Sequence, residues 1–431
     1  MTSGHRFETR CLHAGYDPEP TTLSRAVPVY RTSSYVFKDT THAANLFSLK
    51  ELGNIYSRLM NPTQDVLEKR VAALEGGAAA LAVSSGTSAV YYAVINICKA
   101  GDEIVSANNL YGGTYTMFDT ILPALGITVK FVDSNDPENF ARAIDERTRA
   151  LFCETVSNPA LEITDLEAVA RIAHAAGLPL IVDSTFSTPY LTRPLEFGAD
   201  VVVHSLTKWL GGHGTGIGGV VVDGARFNWA AGKHPLYTTP DASYHGLRWG
   251  LDLPDPLRPL AYILRMRTVP LRNLGACISP DNSWMFLQGI ETLPLRMERH
   301  CENALAVARY LQKHPGVTWV RYPGLPEDRE FARNQKYLRG LGGAMVVFGI
   351  KGGKEAGARF IDRLKLFSHL ANVGDAKSLA IHSATTTHSQ LSEEQQRAAG
   401  ITPDLVRLSI GLENLEDILA DLDQALRAAA A

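Results

Sequence analysis

From about residue 66 to residue 222, short apolar and β-branched runs alternate with segments of helical period. The runs AALAV (79–83), EIVSA (103–107), TVKFV (128–132), ALFCE (150–154), LPLIVD (178–183), DVVVHS (200–205) and IGGVVV (217–222) predict strands. Helices are expected between them at 86–98, 115–125, 138–146 and 164–175. In DLEAVARIAHAAG (165–177), acids open the segment, apolar residues recur at helical spacing and glycine closes it. Strand–helix alternation predicts an α/β fold with a mainly parallel central sheet. Ligands of such sheets bind beyond the strand C-terminal ends. Asp183, Ser205 and the SSG at 84–86 fall there.

The flanks read differently. Residues 1–65 show little periodicity and many Thr, Ser, Pro and Asn. A lead of that kind is expected to pack as an arm on the body or on a neighbouring subunit. Residues 224–282 are rich in Pro, Gly, His, Trp and Tyr and predict an insertion of long loops. A long helix is expected over 283–313. It leads to a smaller C-terminal α/β part with strands at 344–350 and 406–410 and helices near 354–366 and 413–428. The expected domains are the arm 1–65, a large domain 66–282 and a C-terminal domain 283–431.

Composition narrows the function classes. A net charge of -3 gives no basic surface for nucleic acid. No apolar run reaches the roughly 18 residues of a membrane span, and MTSGHRFETR lacks the apolar core of a signal peptide. Five scattered cysteines form no CxxC pair, which suits a reducing compartment and a cytoplasmic location. The histidines show no ligand spacing with acids, so no metal site is expected.

The chemistry concentrates in HSLTKWLGGHGTGIGG (204–219). Lys208 lies between an apolar strand and WLGG, a setting that buries the amine and lowers its pKa. Asp183 ends an apolar strand upstream. An amine that forms a Schiff base, an acid for a pyridinium nitrogen and hydroxyls for a phosphate are what pyridoxal phosphate (PLP) needs. Ser205 and Thr207 supply hydroxyls, and Gly86 and Thr87 open a helix whose amides suit an anion. GTGIGG (214–219) matches the dinucleotide pattern GxGxxG but precedes a strand instead of a helix, so the glycines are read as packing and turns. Tyr56 and Arg58, spaced i, i+2 in extended chain, face one way as a phosphate clamp would. Tyr111 follows a strand, where its ring can stack on a cofactor. Asn158 follows another strand. Arg407, inside the apolar strand VRLSI, matches a substrate carboxylate.

With YSRLMNPT, SSGTSA, YGGTY, SNP, IVDSTFSTPY, HSLTKWLGGHG, TTTHSQL (385–391) and VRLSIGLE, nearly the whole chain resembles the Cys/Met-metabolism PLP enzymes, the cystathionine γ-synthase-like family. The resemblance implies fold type I (aspartate aminotransferase-like). By position it implies that Lys208 carries the cofactor and acts on protons, and that Asp183 meets the ring nitrogen. Gly86, Thr87, Ser205 and Thr207 then cup the phosphate, and Tyr111 stacks and steers protons. Arg407, with Asn158, takes the α-carboxylate. Tyr56 and Arg58 reach a neighbour's site in a homotetramer. The 224–282 insertion and GDAKSLAIHSATTTHSQL (374–391) resemble the branch acting on O-acetylhomoserine. The implied reaction is γ-replacement with sulfide or methanethiol, giving homocysteine or methionine plus acetate. The alternatives are an O-succinylhomoserine sulfhydrylase or cystathionine γ-synthase, then a γ-lyase. Two positions depart from relatives: Asn372, in NVGD where related lyases carry serine in SLGG, is a candidate substrate contact, and Ser383 stands where proline is common.

Overall fold

The computed structural model describes residues 4–48, 50–382, 386 and 402–430. Ser383 and most of segment 385–391 lie outside the described residues. The large sheet contains β1 (Ala79–Val83), β2 (Glu103–Ala107), β3 (Thr128–Val132), β4 (Thr148–Glu154), β5 (Leu180–Asp183), β6 (Val201–Ser205) and β7 (Gly219–Asp223). Their order is β1-β7-β6-β5-β4-β2-β3. Only β7 runs antiparallel to its neighbours; the other pairs are parallel. The central strands are continuous apolar runs because helices cover both faces, and Ile181, Val182 and Val201–Val203 are fully buried. Edge strand β3 is less buried and carries Lys130, paired with Glu103 at 2.7 Å and Asp145 at 2.5 Å.

A second sheet is built from β8 (Val317–Arg321), β9 (Met345–Ile350), β10 (Ser368–His369), β11 (Leu379–His382) and β12 (Leu405–Ser409). Its order is β10-β11-β12-β9-β8. Helices Gly353–Arg363 and Leu415–Ala430 cover it, with Phe360, Ile418 and Leu422 fully buried.

Two sequence expectations need correction. The long helix expected over 283–313 is two helices, Pro280–Glu291 and Leu293–Leu311, meeting at Thr292. Pro294 has no N–H for the carbonyl of residue 290, so the ladder restarts, and Arg296 donates its amide to Thr292 at 3.1 Å. The second helix then serves both sheets: Leu293, Met297 and Cys301 join the large core, while Ala304, Val307, Ala308 and Leu311 join the smaller one. The stretch 224–282, expected as long loops, is loop over more than half its length but also carries helix. Residues 258–274 form one helical run with a wide turn at Arg267–Leu271 that accommodates Pro270. Trp229 stacks on Tyr237 and Tyr262 at 4.7 and 4.9 Å between centroids, a buried aromatic core inside the insertion.

The N-terminal segment contains helices Phe7–His13 and Thr40–Phe47. It leaves Leu23, Val36 and Leu52 exposed, Val36 at 96%.

Candidate active site

One strand register assembles the centre of the site. Gly219, the first residue of β7, pairs with both Val83 and Ser205. The turns leaving β1 and β6 therefore start side by side. A Cβ on Gly219 would collide with the Ser85 carbonyl, so only glycine allows this closeness. Gly86 makes the matching contact: a Cβ there would lie 2.6 Å from the Ser205 Cβ and 3.0 Å from its Cα. Gly86 opens helix Gly86–Ile95, capped by Ser85, whose hydroxyl accepts the Ser88 amide at 3.0 Å. The first amides, on Gly86 and Thr87, have no partner within the helix and suit an anion beside the Ser205 hydroxyl. Thr207 is partly committed: its Oγ1 accepts the Gly218 amide at 3.2 Å and faces the Gly218 carbonyl at 3.3 Å.

Asp183 ends β5 next to this corner. Its Oδ1 accepts the Thr185 amide at 2.9 Å, and the Thr185 hydroxyl accepts the Ser205 amide at 2.8 Å. Burial raises the Asp183 pKa, opposed by its hydrogen bonds to Thr185 and by His204. Its neighbour across the ladder is a second acid, Glu154, which ends β4 in register with it.

Lys208 lies in the turn after β6. Its Nζ donates to the Asn372 side-chain oxygen. The Asn372 carbonyl accepts Arg407 Nη2 at 3.4 Å, and Arg407 Nη1 donates to Asn158 Oδ1 at 2.9 Å. Lys208, Asn372, Arg407 and Asn158 thus form one chain of contacts. Burial first, then the Arg407 charge, lowers the Lys208 pKa to about 8. Arg407, on β12 and 8% exposed, is itself lowered to about 10 by burial.

The glycines after Lys208 are sites of close approach. Gly374, at φ +80°, rests against the lysine turn: a Cβ there would lie 2.6 Å from the Trp209 nitrogen and 2.9 Å from the Lys208 carbonyl carbon. The Ala376 amide donates to Gly212 at 2.8 Å, and Asp375 lies over Gly214. From the bridging helix, buried Arg296 donates to the carbonyls of Trp209 at 2.8 Å, Leu210 at 3.2 Å and Gly289 at 2.7 Å. Burial lowers its pKa to about 10.

Tyr111 is 52% exposed, and its amide donates to Glu154 Oε1 at 2.7 Å. The ring folds back over Gly113, where a Cβ would lie 2.6 Å from Tyr111 Cε1. Tyr56 and Arg58 are not brought to Lys208 within the chain. The extended conformation expected for the pair holds at Tyr56, which bridges Ser34, but not at Arg58, because the Leu59 and Met60 amides both bond to the Tyr56 carbonyl and make a turn. Arg58 instead sits over the Tyr56 ring at 5.3 Å and donates to the Arg272 carbonyl.

Sequence reasoning did not single out Glu154, Thr185, Gly374 or Arg296. Each acts across strands or between sheets, and a local pattern carries no signal for that. Among the described residues no group of three or more His, Cys, Asp or Glu could hold a metal, and no helix is long and apolar enough to cross a membrane. The residues present do fit pyridoxal phosphate. A half-buried amine, an acid and an anion-binding helix start lie at the C-terminal ends of β6, β5 and β1, with an arginine held beside the amine.

Comparisons with known proteins agree. The chain is 59% identical to an O-acetyl-L-homoserine sulfhydrylase of Leptospira meyeri, over 99% of this chain and 98% of that one. It is 52% identical to a homocysteine synthase of Schizosaccharomyces pombe, over 98% of each. A crystal structure from Campylobacter jejuni, described as an O-acetylhomoserine (thiol)-lyase with a pyridoxyl-lysine phosphate, superposes with a TM-score of 0.93 at 42% identity, covering 98% of this chain and 100% of that one. That likeness assigns the α/β architecture to fold type I. The model of the Cys/Met metabolism PLP-dependent enzymes matches residues 8–427, and the chain belongs to that family.

Proposed function

We propose that this enzyme catalyses γ-replacement on O-acetylhomoserine, with sulfide giving homocysteine and methanethiol giving methionine, and releases acetate. The single observation that carries the reading is the contact chain Lys208–Asn372–Arg407–Asn158, which sets an amine beside a carboxylate-binding guanidinium. The sulfhydrylase and homocysteine synthase relatives support the choice of substrates.

Bound pyridoxal phosphate supplies an electron sink for negative charge at the substrate α-carbon. Lys208 holds the cofactor and, once released, takes the α-proton on Nζ, with Asn372 as the resting point of that nitrogen. Arg407, oriented by Asn158, binds the α-carboxylate. Asp183 faces the ring nitrogen, and Gly86, Thr87, Ser205 and Thr207 hold the phosphate. Tyr111 covers the ring and steers protons toward the γ-carbon. Asn372 also borders the space for the substrate.

The same reading gives the 1–65 segment a role. Its exposed apolar residues Leu23, Val36 and Leu52 suit a second copy of the chain, in a cytoplasmic homotetramer built from active dimers. Tyr56 and Arg58 then complete the neighbour's phosphate site.

Purified enzyme given O-acetyl-, O-succinyl- and O-phosphohomoserine with sulfide, methanethiol or cysteine tests the reading. Homocysteine from O-acetylhomoserine and sulfide is expected. Turnover of O-succinylhomoserine alone, or oxoacid production without added thiol, would replace it.

A further inference from the structure

Glu154 and Asp183 close adjacent parallel strands as Cα partners in the same rung. Glu154 is 7% exposed, and among the described residues the partner of its carboxyl is the Tyr111 amide. Asp183 is only half-buried while Glu154 is buried, and charge on both acids across one rung is unfavourable, so one of them keeps a proton. The neighbourhood decides which. Asp183 receives the Thr185 amide and feels His204, and both favour its charge. Glu154 has the Tyr111 amide and is opposed by burial and by the Asp183 charge, which together hold its pKa well above the usual carboxylate range. The remaining polar contact at Glu154 is the Thr164 hydroxyl, which donates to its backbone carbonyl at 2.6 Å and does not touch the carboxyl. Cys153 is the other titratable group near by; burial raises its pKa, so it stays a neutral thiol.

We propose that Glu154 is a positioning residue that works as a neutral carboxyl, anchoring the Tyr111 backbone while leaving the negative charge of the pair on Asp183. The inference rests on Asp183 being the partner of the ring nitrogen. One oxygen of a neutral carboxyl still accepts the Tyr111 amide, so the ring over the site stays placed without a second buried charge. An ionised Glu154 would compete with Asp183 for the ring-nitrogen proton.

The test compares Glu154→Gln and Glu154→Ala, each with an activity measurement and a PLP titration of the apo-protein by fluorescence quenching. Glutamine cannot ionise yet keeps an oxygen acceptor. Its PLP affinity and kcat are expected to stay within about threefold of the parent, whereas alanine, which loses the anchor, should lower kcat about tenfold or more and change the circular dichroism of the bound cofactor. A glutamine variant that falls as far as alanine would overturn the proposal, because the charge would then be what matters. An alanine variant equal to the parent would overturn it from the other side. If the alanine protein does not fold, the isosteric glutamine variant still decides. Asp183→Asn separates the two claims: unchanged PLP binding and turnover in that variant would remove the reading of Asp183 itself, whatever Glu154 does.

Discussion

Lys208 and Asn372, 164 residues apart in the chain, meet through the lysine Nζ and the asparagine side-chain oxygen. The same asparagine offers its backbone carbonyl to Arg407. Asn372→Ala removes the resting point of the amine and should lower kcat about tenfold while cofactor content is retained. Asn372→Asp places a negative charge beside Nζ and favours the ammonium form. The acid limb of its kcat/KM profile is expected to move to higher pH. An unchanged profile in the aspartate variant would show that Nζ does not use this contact in turnover.

The proton affinity of Lys208 gives a prediction for the apo-protein. Only the neutral amine adds to an aldehyde. Burial and Arg407 lower the Lys208 pKa to about 8, so the amine is half neutral near that pH, far below the ordinary 10.5. Stopped-flow absorbance of PLP capture should therefore show a rate rising with pH to a midpoint near 8. Arg407→Ala removes a repelling charge, and its midpoint should move upward. A midpoint near 10 in the parent protein would contradict the buried setting.

Two glycines of the same corner are expected to fail differently. Gly86→Ala presses a methyl against Ser205, 2.6 Å from its Cβ and 3.0 Å from its Cα, atoms that no rotamer change moves, and should cost stability as well as PLP binding. Gly219→Ala meets a backbone carbonyl, which cannot rotate away. It should cost about 1–3 kcal/mol of stability, in line with overpacking elsewhere. Thermal melts of the two apo-proteins check the shared cost, PLP titration the loss specific to Gly86→Ala, and an apo-protein of either variant as stable as the parent would contradict the close approach.

Subunit exchange checks the role given to the arm. Lys208→Ala and Arg58→Ala should each be nearly inactive as homo-oligomers. If Arg58 serves a neighbour, mixing the two after mild dissociation creates sites with both residues intact, and activity should return. A mixture as inactive as its parts would confine Arg58 to its own chain, where it already meets Arg272.

Much of this was legible in the chain. The central strands of the large sheet are apolar runs with polar ends, because a strand covered on both faces leaves no alternation to misread. LIVD and VVVHS placed Asp183 and Lys208 at one sheet end for that reason. The helix start at Gly86 was legible from its serine cap. The stretch 258–274 was not, because Pro259 and Pro270 argue against helix while a wide turn and a short tight turn absorb them. The break at Thr292 hinged on one missing amide inside an otherwise helical pattern. Arg58 departs from extended chain through two local backbone hydrogen bonds that residue type does not specify. Glu154 is one letter of a strand until β5 is laid beside it. Gly374 gains its meaning only when the lysine turn presses on it.

The Leu293–Leu311 helix is rooted in both cores and, through Arg296, grips the carbonyls that follow Lys208. Mechanically it is a rigid beam clamped at both ends, with the lysine turn hung near one clamp. Strain introduced in the smaller core, at Val307 or Leu311 for instance, has a direct route to the position of the amine. Selection on the packing of the second sheet is therefore also selection on the active-site geometry, and the two cannot drift independently.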